Sequence, residues 1–280
     1  MVQSPFDANA KISVASYPFN HVIIENAFSE RLYQAILAAF QSQIMRGGPI
    51  GKVGETGDLI YNAIAYTPTL SELRQTAIGT MLAPEIKSWF CRILDIQLNE
   101  YLMLGLHRHE PPSVGGWTHT DCSIVSFPTS EQRPGYYNIF QVDSGVQYAD
   151  DSQDRQPTSV KTARAIACLY YLANPNWRPG DGGETGLFLQ DGKTLAATIP
   201  PVNNTLFAFE ISPISYHAYL GSPAAQRNSI IWWYHADIKY LMDRHASHFE
   251  FKQRLHRDPW DRWTAADVAK YTSDAPTVNA

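Results

Sequence analysis

The spacing of apolar and polar positions divides the chain into a front part with helical periods and a longer part with strand periods. Ile12 to Val14 and Val22 to Ile24 read as two short strands. Behind Ser29, the positions Leu32, Ala35, Ile36, Ala39 and Phe40 recur every three to four residues, which predicts an amphipathic helix with Ser29 as its cap. The glycine- and proline-bearing stretch 47–57 is a predicted loop. A second helical segment runs from about Ser71 through Leu73, Ala77, Ile78, Met81 and Leu82. Pro84 ends it or opens a third, on which Ile86, Trp89, Phe90, Ile93 and Leu94 form the apolar stripe.

From Tyr101 the period changes. Tyr101 to Leu106 is apolar nearly throughout, as in a strand covered on both faces. Ile124 to Phe127, Ile166 to Leu172, Gly186 to Leu189, Thr205 to Ile211, Tyr216 to Leu220 and Ser229 to Tyr234 continue the series, separated by turns rich in Gly, Pro and Asn. Many short strands without helical pattern between them predict a mainly β fold with a helical layer, built as a sandwich or barrel. The polar stretch 129–161 reads as a long loop, of the length that usually carries function or disorder. Ile238, Leu241 and Met242 begin a terminal helical segment. No linker divides the chain, so a single domain over 1–280 is expected: supporting strands and helices over about 12–98, a β core over about 99–236 with the insert 129–161, and a tail over 237–280.

Composition narrows the function classes. Hydrophobic residues make up 44% and charged residues 18%, the balance of a folded chain with a sizeable core. The net charge of -5, with no long run of Lys and Arg, argues against nucleic acid as the main partner. Cys91, Cys122 and Cys168 are scattered and odd in number, which fits neither a disulfide framework nor a thiolate cluster. No secretory leader pattern and no long apolar run is visible, so a cytoplasmic protein without a membrane partner is expected. Monomer and homodimer fit equally well.

The candidate chemistry lies in Gly115–Gly116–Trp117–Thr118–His119–Thr120–Asp121. In an extended chain His119 and Asp121 point to one face, so an imidazole nitrogen and a carboxylate oxygen can close on one ion. His217, in a later strand-like run, supplies a third ligand. Two histidines and one carboxylate are the set that holds Fe(II) while leaving positions open for O2 and a co-substrate. A structural zinc site is more often closed by four ligands. Arg227 and Ser229 follow on one strand face, where a guanidinium and a hydroxyl can grip a carboxylate, as the distal end of 2-oxoglutarate would require.

These residues together resemble the Fe(II)- and 2-oxoglutarate-dependent dioxygenases, in particular their prolyl-4-hydroxylase-like branch. The matching pieces are His119–Thr–Asp121, Tyr170–Tyr171–Leu172–Ala–Asn174, Trp177 to Glu184, Asn204–Thr–Leu–Phe, His217 and Arg227–Asn–Ser229, over roughly residues 95–240. Pro18 to Phe28 also resembles the entry to such domains. The resemblance implies a double-stranded β-helix (jelly-roll, cupin-like) core with iron at one open end. It further implies that Fe(II), 2-oxoglutarate and O2 act together, releasing succinate and CO2 as a substrate carbon is oxidised. Halogenating members replace the metal-binding carboxylate with a small residue, so Asp121 argues against that outcome. Prolyl hydroxylases commonly hold the distal carboxylate with Lys, and Arg227 departs from that pattern.

Hydroxylation of a small molecule, such as an amino acid or natural-product acid, is therefore the first expectation. The insert 129–161 would then fold over it as a lid. A peptide or protein hydroxylase is the alternative, and a desaturase or cyclase would use the same ligands. A non-catalytic cupin-like metal protein stands further off. Tyr101 is a candidate to bond the co-substrate, and Trp117, Met103 and Arg108 are candidates for the substrate pocket; each has a plain packing or solvated reading beside it.

Overall fold

The structure is a computed structural model, in which residues 4–50, 63–128, 138–139 and 159–248 are described. The chain opens with strands β1 (Lys11–Ala15) and β2 (His21–Glu25). Helix α1 (Glu30–Ile44) follows, and the Ser29 hydroxyl accepts the Leu32 N–H at its start. Strands β3 (Gly48–Ile50) and β4 (Ala63–Tyr66) precede α2 (Leu70–Gln75), a 3-10 helix over Ala77–Leu82 and α3 (Pro84–Ile93). The β-rich part comprises β5 (Tyr101–His109), β6 (Ile124–Pro128), β7 (Asn138–Ile139), β8 (Ser159–Tyr171) and β9 (Thr185–Phe188). It continues with β10 (Leu195–Ile199), β11 (Thr205–Glu210), β12 (His217–Tyr219) and β13 (Arg227–Ala236), before α4 (Ile238–Arg244).

Among the described residues the strands form two sheets. The larger runs β1-β2-β11-β8-β13-β5-β4-β3, with β6 on β8 and β7 on β5; the smaller runs β10-β9-β12. All pairings are antiparallel except that of β5 with β7. The fold is thus a mixed α/β arrangement of two sheets and helices. The expected jelly roll is not seen as a closed barrel, because β9, β10 and β12 pair only with one another. Isolated bridges at Ser113–Ser222 and His119–His217 lie outside the strand pairings.

Alternation assigns the faces of the large sheet. Leu102, Leu104 and Leu106 of β5, with Ile230, Trp232 and Tyr234 of β13, are buried in the main core beside Phe40, Met81, Phe90 and other helical residues. Tyr234 donates to the Met81 carbonyl (3.1 Å), tying β13 to the 3-10 helix. The opposite face carries Tyr101, Met103, Gly105, His107 and His109 of β5 against Trp233, Ile231, Ser229 and Arg227 of β13. That face holds the candidate site.

Two elements differ from the sequence-based expectation. The stretch after Gly47 is not all loop: β3 pairs with β4 as an edge strand, where Pro49 is tolerated because no partner needs its N–H. The helical segment from Ser71 is broken at Thr76, whose extended backbone (ψ 161°) separates α2 from the 3-10 turn. Helix α2 is started by a capping box between Thr69 and Glu72. Most of the insert 129–161, including its expected role as a lid, lies outside the described residues, as does the tail beyond 248.

Helix α4 is docked by charge. Arg244 donates to Glu210 (2.6 Å), to the Asp95 carbonyl (2.7 Å) and to the Leu94 carbonyl (3.0 Å), while Asn20 reaches the other Glu210 oxygen (2.8 Å). Burial raises the pKa of the Glu210 carboxyl, and the bonds from Arg244 and Asn20 outweigh it, leaving the group below its ordinary value of 4.5.

Candidate metal centre

His119 and His217 are placed by each other. The His119 N–H donates to the His217 carbonyl (2.9 Å) and the His217 N–H to the His119 carbonyl (2.8 Å), so their side chains share one face with ring centroids 4.4 Å apart. Each ring is oriented in the same way: His119 Nδ1 meets the Trp117 carbonyl and His217 Nδ1 the Ser215 carbonyl, both at 3.0 Å. A carbonyl accepts only, so Nδ1 carries the proton and Nε2 turns its lone pair to the side where an ion would sit.

Asp121 completes the set by a route that strand alternation does not predict. Residues 120–123 are not in a strand, and Asp121 adopts left-handed backbone (φ 59°), a conformation that aspartate tolerates better than most residues. This turn sets the carboxylate against both imidazoles, with Oδ1 3.5 Å from His119 Nε2 and Oδ2 3.6 Å from His217 Nε2. The ligand atoms of the three residues all lie within 4.8 Å of one another. Two imidazole nitrogens and one carboxylate, with no fourth protein ligand grouped among the described residues, fit an Fe(II) site that keeps positions open.

The carboxylate is held from behind by two groups on the large sheet. Trp233 Nε1 donates to Oδ2 (2.7 Å) and Arg164 Nη1 to Oδ1 (3.3 Å), and the Arg164 guanidinium lies 4.3 Å from the Trp233 ring centroid. Burial raises the Asp121 pKa, but the adjoining His119 and His217 rings and the Arg164 charge outweigh it, keeping the carboxyl well below its ordinary value. Arg164 reaches this face through a bulge. Trp233 pairs with Ala167 but His235 pairs with Arg164, a register shift that inserts one extra residue on β8 and re-aims its side chains.

A second polar centre lies farther along the same face. Arg227 is 3% exposed, donates to Ser229 Oγ and to Thr185 Oγ1 (both 3.2 Å), and stands 5.2 Å from the ring centroids of Tyr171 and Tyr219. Thr185 Oγ1 also exchanges a 2.8 Å bond with the Tyr171 hydroxyl. Asn174 fixes the start of β13, accepting the Asn228 N–H (2.6 Å) and donating to the Asn228 carbonyl (3.2 Å). No carboxylate pairs with Arg227 among the described residues.

With this geometry the family match carries weight. Residues 140–235 match the family model of the 2OG-Fe(II) oxygenase superfamily. That stretch, about a third of the chain, includes His217, Arg227 and Ser229 but not His119 or Asp121. Its fold resembles that of a prolyl-4-hydroxylase from Pseudomonas putida, with 17% identity, a TM-score of 0.52, and coverage of 77% of this chain and 91% of the other. A prolyl hydroxylase from Trichoplax adhaerens, in complex with a hypoxia inducible factor peptide fragment, gives 16% identity, a TM-score of 0.50, and coverage of 81% and 86%. No curated protein matches the chain. The partial family match, the fold likeness and the His-Asp-His triad are consistent with an Fe(II)/2-oxoglutarate-dependent dioxygenase.

The remaining candidate residues divide. Met103 faces the site, with Arg164 Nη2 4.0 Å from its sulfur. Trp117 contributes its carbonyl to His119. Tyr101 does not join Arg227 and Ser229. It lies eight residues along β5 from His109, the partner of Arg227, which in a strand is roughly 26 Å. There it packs on Phe127 at 4.8 Å in a small cluster with Met103 and Val125. Arg108 is on the opposite face of β5, bonded to Asn228 (3.0 Å) and 4.0 Å from Glu110, so it does not line the site. Trp233 falls on the Arg227 face and Trp232 in the core, as alternation predicts, and Cys122 is buried.

Proposed function

We propose that the protein is an Fe(II)- and 2-oxoglutarate-dependent dioxygenase that hydroxylates an aliphatic carbon. His119, Asp121 and His217 would hold the iron, and Arg227 with Ser229 would hold the distal carboxylate of 2-oxoglutarate. The observation that carries this reading is the state of Arg227, a buried guanidinium whose partners are all neutral. A buried cation without a counter-charge is costly, and a carboxylate bound there removes the cost. Tyr219, which stacks near Arg227, lies two residues beyond His217 on the same face of β12, a step of about 7 Å. A short dicarboxylate can therefore reach from the guanidinium to the metal. Bound iron would supply O2 activation coupled to decarboxylation of the oxo acid to succinate and CO2. Trp233 and Arg164 keep the Asp121 carboxylate turned toward the ion.

On this reading the two sheets are the halves of a double-stranded β-helix, and the chain acts as one domain. A peptide-borne carbon stands first as substrate, ahead of the free amino acid or natural-product acid expected from the sequence. Two features support it: the fold likeness to two prolyl hydroxylases, one of them with a bound peptide, and the His119 side chain, which is 27% exposed and leaves the metal side open. Desaturation or ring closure would use the same ligands. The test is succinate release with Fe(II), O2 and 2-oxoglutarate over peptide and metabolite panels, with Asp121→Ala as control. Stimulation by free acids alone restores the small-molecule reading, and release by none of the panel counts against the activity.

A further inference from the structure

His107 lies on the site face of β5, paired across the strands with Ser229, the residue that accepts the Arg227 guanidinium. Its ring does not stand straight off the sheet. A methyl group at Gly105 would come within 3.2 Å of His107 Nε2 and 3.5 Å of Cδ2, so the imidazole leans along the strand over the bare backbone of Gly105. That direction runs from the Arg227 end of the face toward Met103 and Trp233, which is the metal end. The charges that act on the ring are those of Arg227 on one side and Asp121 on the other. Neither ring nitrogen is engaged by a described residue, whereas Ser229, Arg227, Trp233 and Arg164 along this stretch are bonded. Burial, then the Arg227 charge, lowers the His107 pKa to about 4, so at neutral pH the ring is uncharged and offers one N–H.

We infer that His107 is a binding residue for the oxo-acid co-substrate, donating a hydrogen bond to the anion held between Arg227 and the metal, and that Gly105 is the glycine that lets the ring reach it. The inference rests on the 2-oxoglutarate reading above. It adds to Arg227 and Ser229 a third protein group, on the neighbouring strand, that fixes the rotation of the bound acid about its long axis.

The experiment is anaerobic titration of the purified Fe(II) protein with 2-oxoglutarate, followed by the visible charge-transfer absorbance of the chelate, and repeated calorimetrically with Mn(II). His107→Phe should weaken 2-oxoglutarate binding about tenfold or more, the loss of one hydrogen bond to an anion. The affinity for Mn(II) alone should not change. His107→Gln, which restores a donor, should recover most of the loss. Gly105→Ala, which leaves His107 in place and pushes its ring aside, should weaken binding severalfold and keeps the test open should His107→Phe fail to fold. Equal 2-oxoglutarate affinity in wild type, His107→Phe and Gly105→Ala overturns the inference and leaves the co-substrate reading standing. Absence of any 2-oxoglutarate binding by the wild-type metal form overturns that reading, and the inference with it.

Discussion

The indole of Trp233 and the carboxylate of Asp121, 112 residues apart, are joined by a 2.7 Å hydrogen bond to the oxygen that faces His217. The bond fixes the rotation of the carboxylate, so that it meets the ion in one orientation. Trp233→Phe keeps the ring packing and removes the N–H. Metal affinity, measured by Co(II) or Fe(II) titration, is expected to fall roughly tenfold, the usual cost of losing a group behind a ligand. Unchanged affinity would show that Arg164 alone holds Asp121.

Asp121→Ala removes the one anionic ligand of the triad. Metal content after reconstitution and succinate formation should be lost together. Retention of both would mean that the ion sits elsewhere.

Arg227→Lys keeps the charge and loses the planar fork. The 2-oxoglutarate affinity of the metal-loaded protein should drop about tenfold or more, while metal affinity stays level, because Arg227 bonds Ser229 and Thr185 and none of the ligands. A parallel loss of metal binding would make Arg227 a structural residue of the site.

Glu210 offers a test of stability against pH. Its carboxyl is lowered in the folded protein, so the stabilisation it provides is complete above the unfolded value of 4.5 and is lost as pH falls through the folded value. Arg244→Ala should cost about 2 kcal/mol at neutral pH in urea denaturation, since the bonds it removes are charge-assisted. The gap from wild type should narrow in acid. A gap that is constant with pH would assign the loss to the packing of α4.

Helix α1 and the faces of β13 were legible in the sequence because each rests on a local rule. Ser29 caps where its hydroxyl meets the Leu32 N–H, and alternation separates Trp232 from Trp233. The ligand types are legible for the same reason, but the fold joins His119 to Asp121 by a route other than strand alternation. A strand places them on one face; the protein does so with a left-handed aspartate after a single bridge residue. Arg164 was hidden by the bulge, since unbroken alternation from Tyr171 assigns it to the other face. Its one signal was a charge inside the apolar run Ala163–Arg164–Ala165–Ile166, where a buried cation requires an anion. The short strands β3 and β4 join the sheet through the pairing of β4 with β5, about forty residues farther along the chain, which no local pattern reports.

The reciprocal backbone bonds between His119 and His217 have a consequence for how the ion enters. Bringing two distant chain segments together costs entropy that grows with the loop between them. Here hydrogen bonding between the segments meets that cost before any ion arrives, so two of the three ligands are a preformed chelate. Metal uptake should then be fast and should need little refolding. Loading should slow amide exchange at the His119 and His217 N–H groups far more than it changes the circular dichroism of the protein.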